Sequence, residues 1–160
     1  MQIPKYFVTF ISFYGSTPFH LLLGLLLFSL DKTLGASLLL GFLLSLVLIV
    51  LIRLFYFRRR PESQAADTLY EKLRAASFPS GHVTRAFVIS LLLASFLDNF
   101  MASFLFFFLA LGVAVGRYLL RRHDFVDIIG GICTAVVVYF LVQFFLALPS
   151  FQNFLLLLPF

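Results

Sequence analysis

Three short polar blocks carry residues whose types could do chemistry, and the last of them contains a histidine–aspartate pair. His123 precedes Asp127 by four positions, so on a helix the two side chains would share one face. A carboxylate that accepts a hydrogen bond from one imidazole nitrogen fixes the tautomer and leaves the other nitrogen free as a nucleophile. Arg117 lies six positions before His123, where its planar guanidinium could hold phosphate oxygens. This block indicates a site for a phosphate group.

A second block, at residues 78–82, has the sequence Phe-Pro-Ser-Gly-His and stands directly before an apolar segment. This order of proline and glycine predicts a turn that leads into a helix, with Ser80 as the N-cap residue. The amide groups and the dipole at a helix N-terminus attract phosphate. His82 would lie in the first helical turn, where it could protonate a leaving alkoxide.

The first block is a basic segment that follows another apolar stretch. Arg53 and Arg60 would add positive charge that stabilises the oxygens of a transferring phosphoryl group. Arginine near a helix end can also act only as an interfacial anchor, because its long side chain reaches the lipid head groups. We assign that structural role to four arginines, namely Arg58, Arg59, Arg121 and Arg122.

The composition places these blocks in a membrane protein. Of the 160 residues, 62% are hydrophobic and 12% are charged, whereas an ordinary soluble domain has about 25% charged residues. A chain of this size cannot bury so much apolar surface within itself, so part of that surface must contact lipid. We therefore predict an all-α integral membrane helical bundle that forms one domain over residues 1–160. The formal net charge of +5 suits anionic lipid rather than nucleic acid, because the basic residues lie beside apolar segments.

Five apolar segments are close to the length that crosses a bilayer, which is about 20 residues in a range of about 17–25. They cover residues 13–30, 34–57, 81–97, 100–120 and 125–148. Gly15 and Pro18 interrupt the first segment, so its helix should begin near Thr17, and residues 1–15 should form an interfacial helix. The apolar tail at 150–160 is too short to cross and should rest on the bilayer.

Counting spans predicts which polar segments meet. The loop at 58–80 and the basic junction at 117–124 are separated by two spans, so both should lie on the same membrane face. All three polar blocks would then lie together at that face. The small residues that would allow close helix packing in lipid are Gly112, Gly116, Gly130 and Gly131.

The order and spacing of the three blocks resemble the tripartite signature of the type 2 phosphatidic acid phosphatase superfamily, whose site is similar to that of vanadium haloperoxidases. That signature is Lys-x6-Arg-Pro, then Pro-Ser-Gly-His, then Ser-Arg-x5-His-x3-Asp. Here the first part is Arg53-x6-Arg60-Pro61, with arginine in place of lysine. The second part is complete at residues 79–82. The third part covers residues 116–127, with Gly116 where the family has serine.

The resemblance implies a lipid phosphatase in which His123 attacks phosphorus, Asp127 orients the imidazole and His82 is the general acid. It implies that no metal or other cofactor takes part, and that the phosphate is held by Arg53, Arg60, Ser80, Gly81 and Arg117. The implied substrate is a phosphate monoester or diphosphate of a bacterial envelope lipid, such as undecaprenyl diphosphate, phosphatidylglycerol phosphate or the 1-phosphate of lipid A. Members of the family commonly have six spans, so one N-terminal span is expected to be missing or reduced to the interfacial helix.

Two other functions fit parts of the sequence. A lipid phosphotransferase would use a second lipid or a sugar, instead of water, as the acceptor. A non-catalytic lipid transporter would need polar residues along a path through the bilayer, whereas here the polar residues crowd at one face. His20 is the isolated exception, and we expect it to hydrogen-bond within the bundle. The sequence carries no indication of an oligomeric state.

The distribution of basic residues and the family resemblance indicate opposite orientations in the membrane. Basic residues crowd at the predicted site face, while Lys32 lies at the other face, so the positive-inside rule points the site toward the cytoplasm. The family resemblance implies a bacterial inner membrane protein whose site faces the periplasm or the exterior. We expect the outward orientation, because basic residues around a site for phosphorylated lipid have a second role.

Overall fold

The computed structural model describes residues 5–58, 68, 71, 73 and 75–158. Seven helices lie wholly within them. They are α1 (Lys5–Phe13), α2 (Thr17–Leu30), α3 (Lys32–Phe55), α4 (Gly81–Leu97), α5 (Phe100–Leu119), α6 (Phe125–Ala147) and α7 (Pro149–Leu157). The predicted all-α class is confirmed for this part of the chain.

The second and third helices form an antiparallel hairpin whose connection is a single residue. Asp31 ends α2 and is the N-cap of α3, where its carboxylate accepts a hydrogen bond from the amide of Leu34 at 2.8 Å. Gly35 makes this hairpin possible, since a methyl group added to it would collide with the backbone of Phe28. At its other end α2 begins at Thr17, as predicted, because the side chain of Ser16 caps the helix.

The N-terminal helix α1 packs on α5 at the predicted pair of small residues. A methyl group added to Gly112 would lie 3.1 Å from the side chain of Ile11, and one added to Gly116 would lie 3.0 Å from that of Val8. The side chains of Val8 and Ser12 are buried in this contact. Close approach of helices at small residues is common in lipid, where packing rather than the hydrophobic effect drives association.

The central helix of the bundle is α4, which contacts α2, α3, α5 and α6. Every residue from 83 to 90 is buried. A further internal contact is made by His20, whose Nε2 donates a hydrogen bond to the carbonyl of Leu38 at 3.0 Å. The predicted role of His20 as a hydrogen-bonding residue within the bundle is confirmed.

In the part of the chain that the structure describes, three helices are long and apolar enough to cross a membrane, namely α3, α5 and α6, with 24, 20 and 23 residues. The other two predicted spans are shorter. Helix α4 has 17 residues, which is the lower end of the range of about 17–25 that a span needs. Helix α2 has 14 residues, fewer than its apolar segment at 13–30, because the chain turns at residues 14–16 before the helix begins.

Candidate active site

The turn between α5 and α6 holds the histidine–aspartate pair. His123 lies in this turn and not on a helix, because α6 begins only at Phe125. The prediction assumed that both residues lie on one helix, and that assumption was wrong. The pair still meets, with Nδ1 of His123 at 3.6 Å from Oδ2 of Asp127, because the turn folds back over the first turn of α6. There Oδ2 of Asp127 accepts a hydrogen bond from the amide of Asp124 at 3.0 Å.

The Asp127 carboxylate is completely buried and has polar neighbours on both oxygens. Its Oδ1 accepts hydrogen bonds from Nη1 of Arg58 and from Oγ of Ser77, each at 3.2 Å. Its Oδ2 accepts from the Asp124 amide and faces His123. A carboxylate offers about four acceptor positions, so these four neighbours account for all of them. Such a carboxylate is fixed in orientation, which in turn restricts the ring of His123.

Arg58 belongs to this site, and its predicted role as an interfacial anchor was wrong. Its guanidinium donates to Asp127 and also forms an ion pair with Asp124 at 3.0 Å. These contacts form only in the folded chain, because the two aspartates lie 66 and 69 positions farther along the sequence. Both Arg121 and Arg122 are exposed, and their anchoring role stays a prediction. Arg59 lies outside the described residues.

The turn before α4 joins the same network. The amide of Ser80 donates a hydrogen bond to the carbonyl of Asp127 at 3.0 Å. Ser80 occupies the N-cap position of α4, as predicted, but its hydroxyl does not cap the helix. That hydroxyl is fully buried and has no hydrogen-bond partner within the described residues. A buried hydroxyl without a partner costs about 1–3 kcal/mol, so the geometry suits a ligand that accepts or donates there.

Two adjacent glycines let α6 dock against this turn. A methyl group added to Gly131 would lie 3.0 Å from the carbonyl oxygen of Ser80, and one added to Gly130 would overlap the ring of Phe78. Thr84 extends the contact, because its hydroxyl donates to the carbonyl of Gly131 at 3.2 Å. The predicted use of this glycine pair in close packing is confirmed. The close approach at these two glycines sets the distance between the Ser80 turn and the carbonyl of Asp127.

The predicted phosphate-binding arginines lie around these residues in different ways. Arg53, in the last turn of α3, donates to the carbonyls of Leu73 at 2.9 Å and Pro79 at 3.2 Å. It thus holds the segment that enters the Ser80 turn. Arg117 lies in the last turn of α5 and is partly exposed. Arg60 lies outside the described residues.

The general-acid candidate and the glycine before it open α4. Gly81 is its first residue and His82 its second, as predicted, and both are partly exposed. The carbonyl of His82 lies against Gly15, where a methyl group would overlap it. The turn between α1 and α2 therefore covers the beginning of α4.

Arg85 is a charged residue of this region that the sequence interpretation missed. Its side chain is buried, and its Nε donates to the carbonyl of Gly15 at 3.0 Å. The positive charges of Arg53 and Arg117 act on its guanidinium and repel it. The available signal was its place in an apolar helix, where a charge is costly and commonly functional.

The departure from the family signature at Gly116 has a packing explanation. A methyl group at this position would point at α1, 3.0 Å from Cγ1 of Val8 and 3.3 Å from Oγ of Ser12. A serine would therefore crowd α1 against α5.

Within the described part of the chain, no three His, Cys, Asp or Glu side chains converge as ligands for a metal ion.

Comparison with known families gives one match. The model of the PAP2 superfamily matches residues 34–148, which is more than half of the chain. The matched range begins in the first turn of α3 and ends just after α6, so it contains all of the candidate site residues. No curated protein and no solved structure gave a significant match.

Proposed function

Because this chain belongs to the PAP2 superfamily, which supports phosphatase-type activity on phosphate esters, we propose that it is a membrane lipid phosphatase working through a phosphohistidine intermediate. The proposed substrate is a phosphate monoester or diphosphate of an envelope lipid, with undecaprenyl diphosphate, phosphatidylglycerol phosphate and lipid A 1-phosphate as the candidates. Residues 1–160 would act as a single transmembrane catalytic domain without a metal or other cofactor.

The observation that carries the proposal is the environment of Asp127. Its carboxylate contacts Arg58 and Ser77 from the loop region and His123 from the last block. Its carbonyl accepts from the amide of Ser80 in the second block. Segments far apart in the sequence thus converge on one buried residue, at the end of the bundle where the polar blocks were expected to meet.

In the proposed first half-reaction, Nε2 of His123 attacks phosphorus while Asp127 holds the proton on Nδ1. The bond between phosphorus and the lipid oxygen breaks, and its electron pair stays on that oxygen, which takes a proton from His82. In the second half-reaction water attacks the phosphorus and gives a proton to His82, the phosphorus–nitrogen bond breaks with its electron pair returning to Nε2, and inorganic phosphate leaves. The distance of 3.6 Å between His123 and Asp127 would shorten on substrate binding, since catalytic hydrogen bonds are often long in unliganded sites.

The remaining residues are proposed to hold the phosphate. Arg53, Arg60 and Arg117 supply positive charge that opposes the charge on the transferring oxygens. The Ser80 hydroxyl and the Gly81 amide supply hydrogen bonds at the start of α4. The buried, unpartnered hydroxyl of Ser80 supports its part in this arrangement.

The proposed membrane arrangement has five spans, formed by α2 to α6. Helix α2 starts beside His82 and ends at the turn into α3, so it extends from the site end of the bundle toward the opposite end. We propose that α1 lies at the interface, and that the site faces the periplasm or the exterior of a bacterial inner membrane.

The test is phosphate release by the purified protein from a panel of the three candidate lipids. We expect release from at least one lipid, unchanged by exhaustive treatment with EDTA, because arginines and a helix N-terminus supply the charge that a metal would bring. The control is His123→Ala, which should release none. Inactivation by EDTA with recovery on adding Mg²⁺ would contradict the proposal. Release that requires a second lipid or sugar would indicate a phosphotransferase instead.

A further inference from the structure

Arg85 is the only Lys, Arg, Asp or Glu residue of helix α4, and its side chain is nine-tenths buried, with 9% of the residue exposed. A buried charge is costly unless it is paired. Among the described residues no carboxylate forms an ion pair with it. Its charged form is disfavoured first by burial and then by repulsion from the positive charges of Arg53 and Arg117. These features indicate a bound anion as its missing partner.

The guanidinium of Arg85 is fixed in a direction that suits such an anion. Its Nε donates to the carbonyl of Gly15 at 3.0 Å. A methyl group added to Gly81 would lie 3.3 Å from Nη1 and 3.7 Å from Nη2 of Arg85. Neither Nη atom donates a hydrogen bond to any residue that the structure describes. A preorganised guanidinium fork therefore borders Gly81, the first residue of α4, and the residue before Gly81 is Ser80, whose buried hydroxyl has no partner within the described residues.

Arg85 is close along α4 to the residue proposed to act on the leaving group. His82, the proposed donor of a proton to the leaving oxygen, lies three positions earlier in the same helix, so the two residues are neighbours on its surface. Arg58, in contrast, already pairs with Asp124 and Asp127. The charges of Arg53, Arg85 and Arg117 together exceed the roughly 1.5–2 negative charges of a phosphate monoester.

We propose that Arg85 binds the second phosphate of a lipid diphosphate and makes the site select diphosphates over monophosphates; this rests on the proposed phosphatase function. His123 takes the terminal phosphoryl group, and the bond between the terminal phosphorus and the bridging oxygen breaks. The electron pair stays on the departing lipid monophosphate, whose oxygens Arg85 holds. Water then releases the phosphoryl group from His123.

The experiment compares farnesyl diphosphate with farnesyl monophosphate, two substrates with the same lipid chain. The wild-type protein should prefer the diphosphate. Arg85→Gln should lower kcat/KM for the diphosphate by about 10- to 100-fold, the effect of losing a charge-assisted hydrogen bond, and should lower it much less for the monophosphate. Arg85→Lys, which keeps the charge, should recover part of the preference. The control Arg122→Gln, which removes an exposed charge from the same end of the bundle, should affect both substrates by the same factor.

A binding measurement separates this inference from the proposed function. Pyrophosphate should raise the Tm of the wild-type protein in detergent more than phosphate does, and Arg85→Gln should remove the difference. If the wild type hydrolyses neither lipid, the proposed function fails. The Tm shifts caused by pyrophosphate and phosphate then decide whether Arg85 binds a second phosphate. Should Arg85→Gln not fold, Arg85→Lys decides between the outcomes, with a reduced diphosphate preference as the expected result. Equal loss for both substrates, or equal stabilisation by the two anions, would overturn the inference.

Discussion

The His123 imidazole depends on how firmly its neighbouring carboxylate is held. Two side chains and one amide donate to Asp127, and the fourth acceptor position faces Nδ1 of His123. With a proton on Nδ1, the other ring nitrogen would act as the proposed nucleophile. His82 is in a different environment, at the partly exposed first turn of α4. The two histidines should therefore respond differently to the same substitution.

His82→Ala should be partly rescued by a leaving group that departs without a proton, such as a nitrophenolate, whereas His123→Ala should not. The reason is that His82 would only protonate the leaving oxygen, an effect typically worth about 10²–10⁴-fold, while His123 would form the covalent bond. The measurement is kcat/KM for a nitrophenyl phosphate and an alkyl phosphate. Asp127→Asn should be slow with both substrates. If His82→Ala were equally inactive toward both substrates, His82 would instead be a phosphate ligand or a support for the Ser80 turn.

Arg58→Ala should lower kcat by about 10- to 100-fold and leave KM nearly unchanged, because Arg58 positions Asp127 through a charged hydrogen bond and does not touch the substrate. Arg58→Lys should recover part of kcat. The matched control is Arg122→Ala, for which we expect wild-type kinetics. A rise in KM with constant kcat would assign Arg58 to substrate binding and contradict the positioning role.

At the scale of elements, the site depends on how closely α4 and α6 approach each other and on the turn that covers them. The helices could be predicted from the sequence, because apolar runs, Pro18 and the short polar turns fix where they begin and end. The contacts of Arg58 and Arg85 could not be predicted, because their partners lie 66 to 70 positions away in the sequence. The histidine–aspartate pair was predicted from a helical spacing that the chain does not use.

Gly15→Ala should destabilise the protein by about 1–3 kcal/mol, the usual effect of overpacking, and should lower activity as well. Its added methyl group would overlap the carbonyl of His82, and a backbone group at the start of a helix cannot move aside without moving the site. Gly112→Ala is the control, since its methyl group would meet only one side-chain carbon of Ile11, at 3.1 Å, and no backbone group of another helix. Thermal unfolding in detergent and phosphate release measure the two effects. Equal behaviour of the two variants would contradict the coupling of this turn to the site.

At the scale of the whole molecule, the described residues place the candidate site at one end of an otherwise mostly apolar bundle. The candidate site residues that the structure describes gather at this end, while the sides carry exposed aromatic residues such as Phe104, Phe108 and Phe140. Composition alone predicted that these surfaces contact lipid. The number of spans was harder to predict, because α2 and α4 have 14 and 17 residues, below and at the lower end of the range of about 17–25 that a span needs.

The proposed outward orientation predicts which end of the bundle an impermeant maleimide reaches. Cys133 is the single cysteine of the sequence. In a Cys133→Ser background, Arg122→Cys at the site end should be labelled in intact spheroplasts, and Thr33→Cys at the opposite end only after lysis. Both positions are exposed. The reverse pattern would place the site in the cytoplasm, in agreement with the positive-inside rule.

The most direct test of the central claim is to trap the phosphorylated enzyme. The protein is mixed with a lipid substrate labelled in its terminal phosphate, quenched in alkali within one turnover, digested and analysed by mass spectrometry. We predict a phosphoryl group on His123 that survives alkali and is lost in acid, and no label in folded His123→Ala, which should also have no turnover. A phosphoryl group on a different residue, or full activity of His123→Ala, would contradict the account.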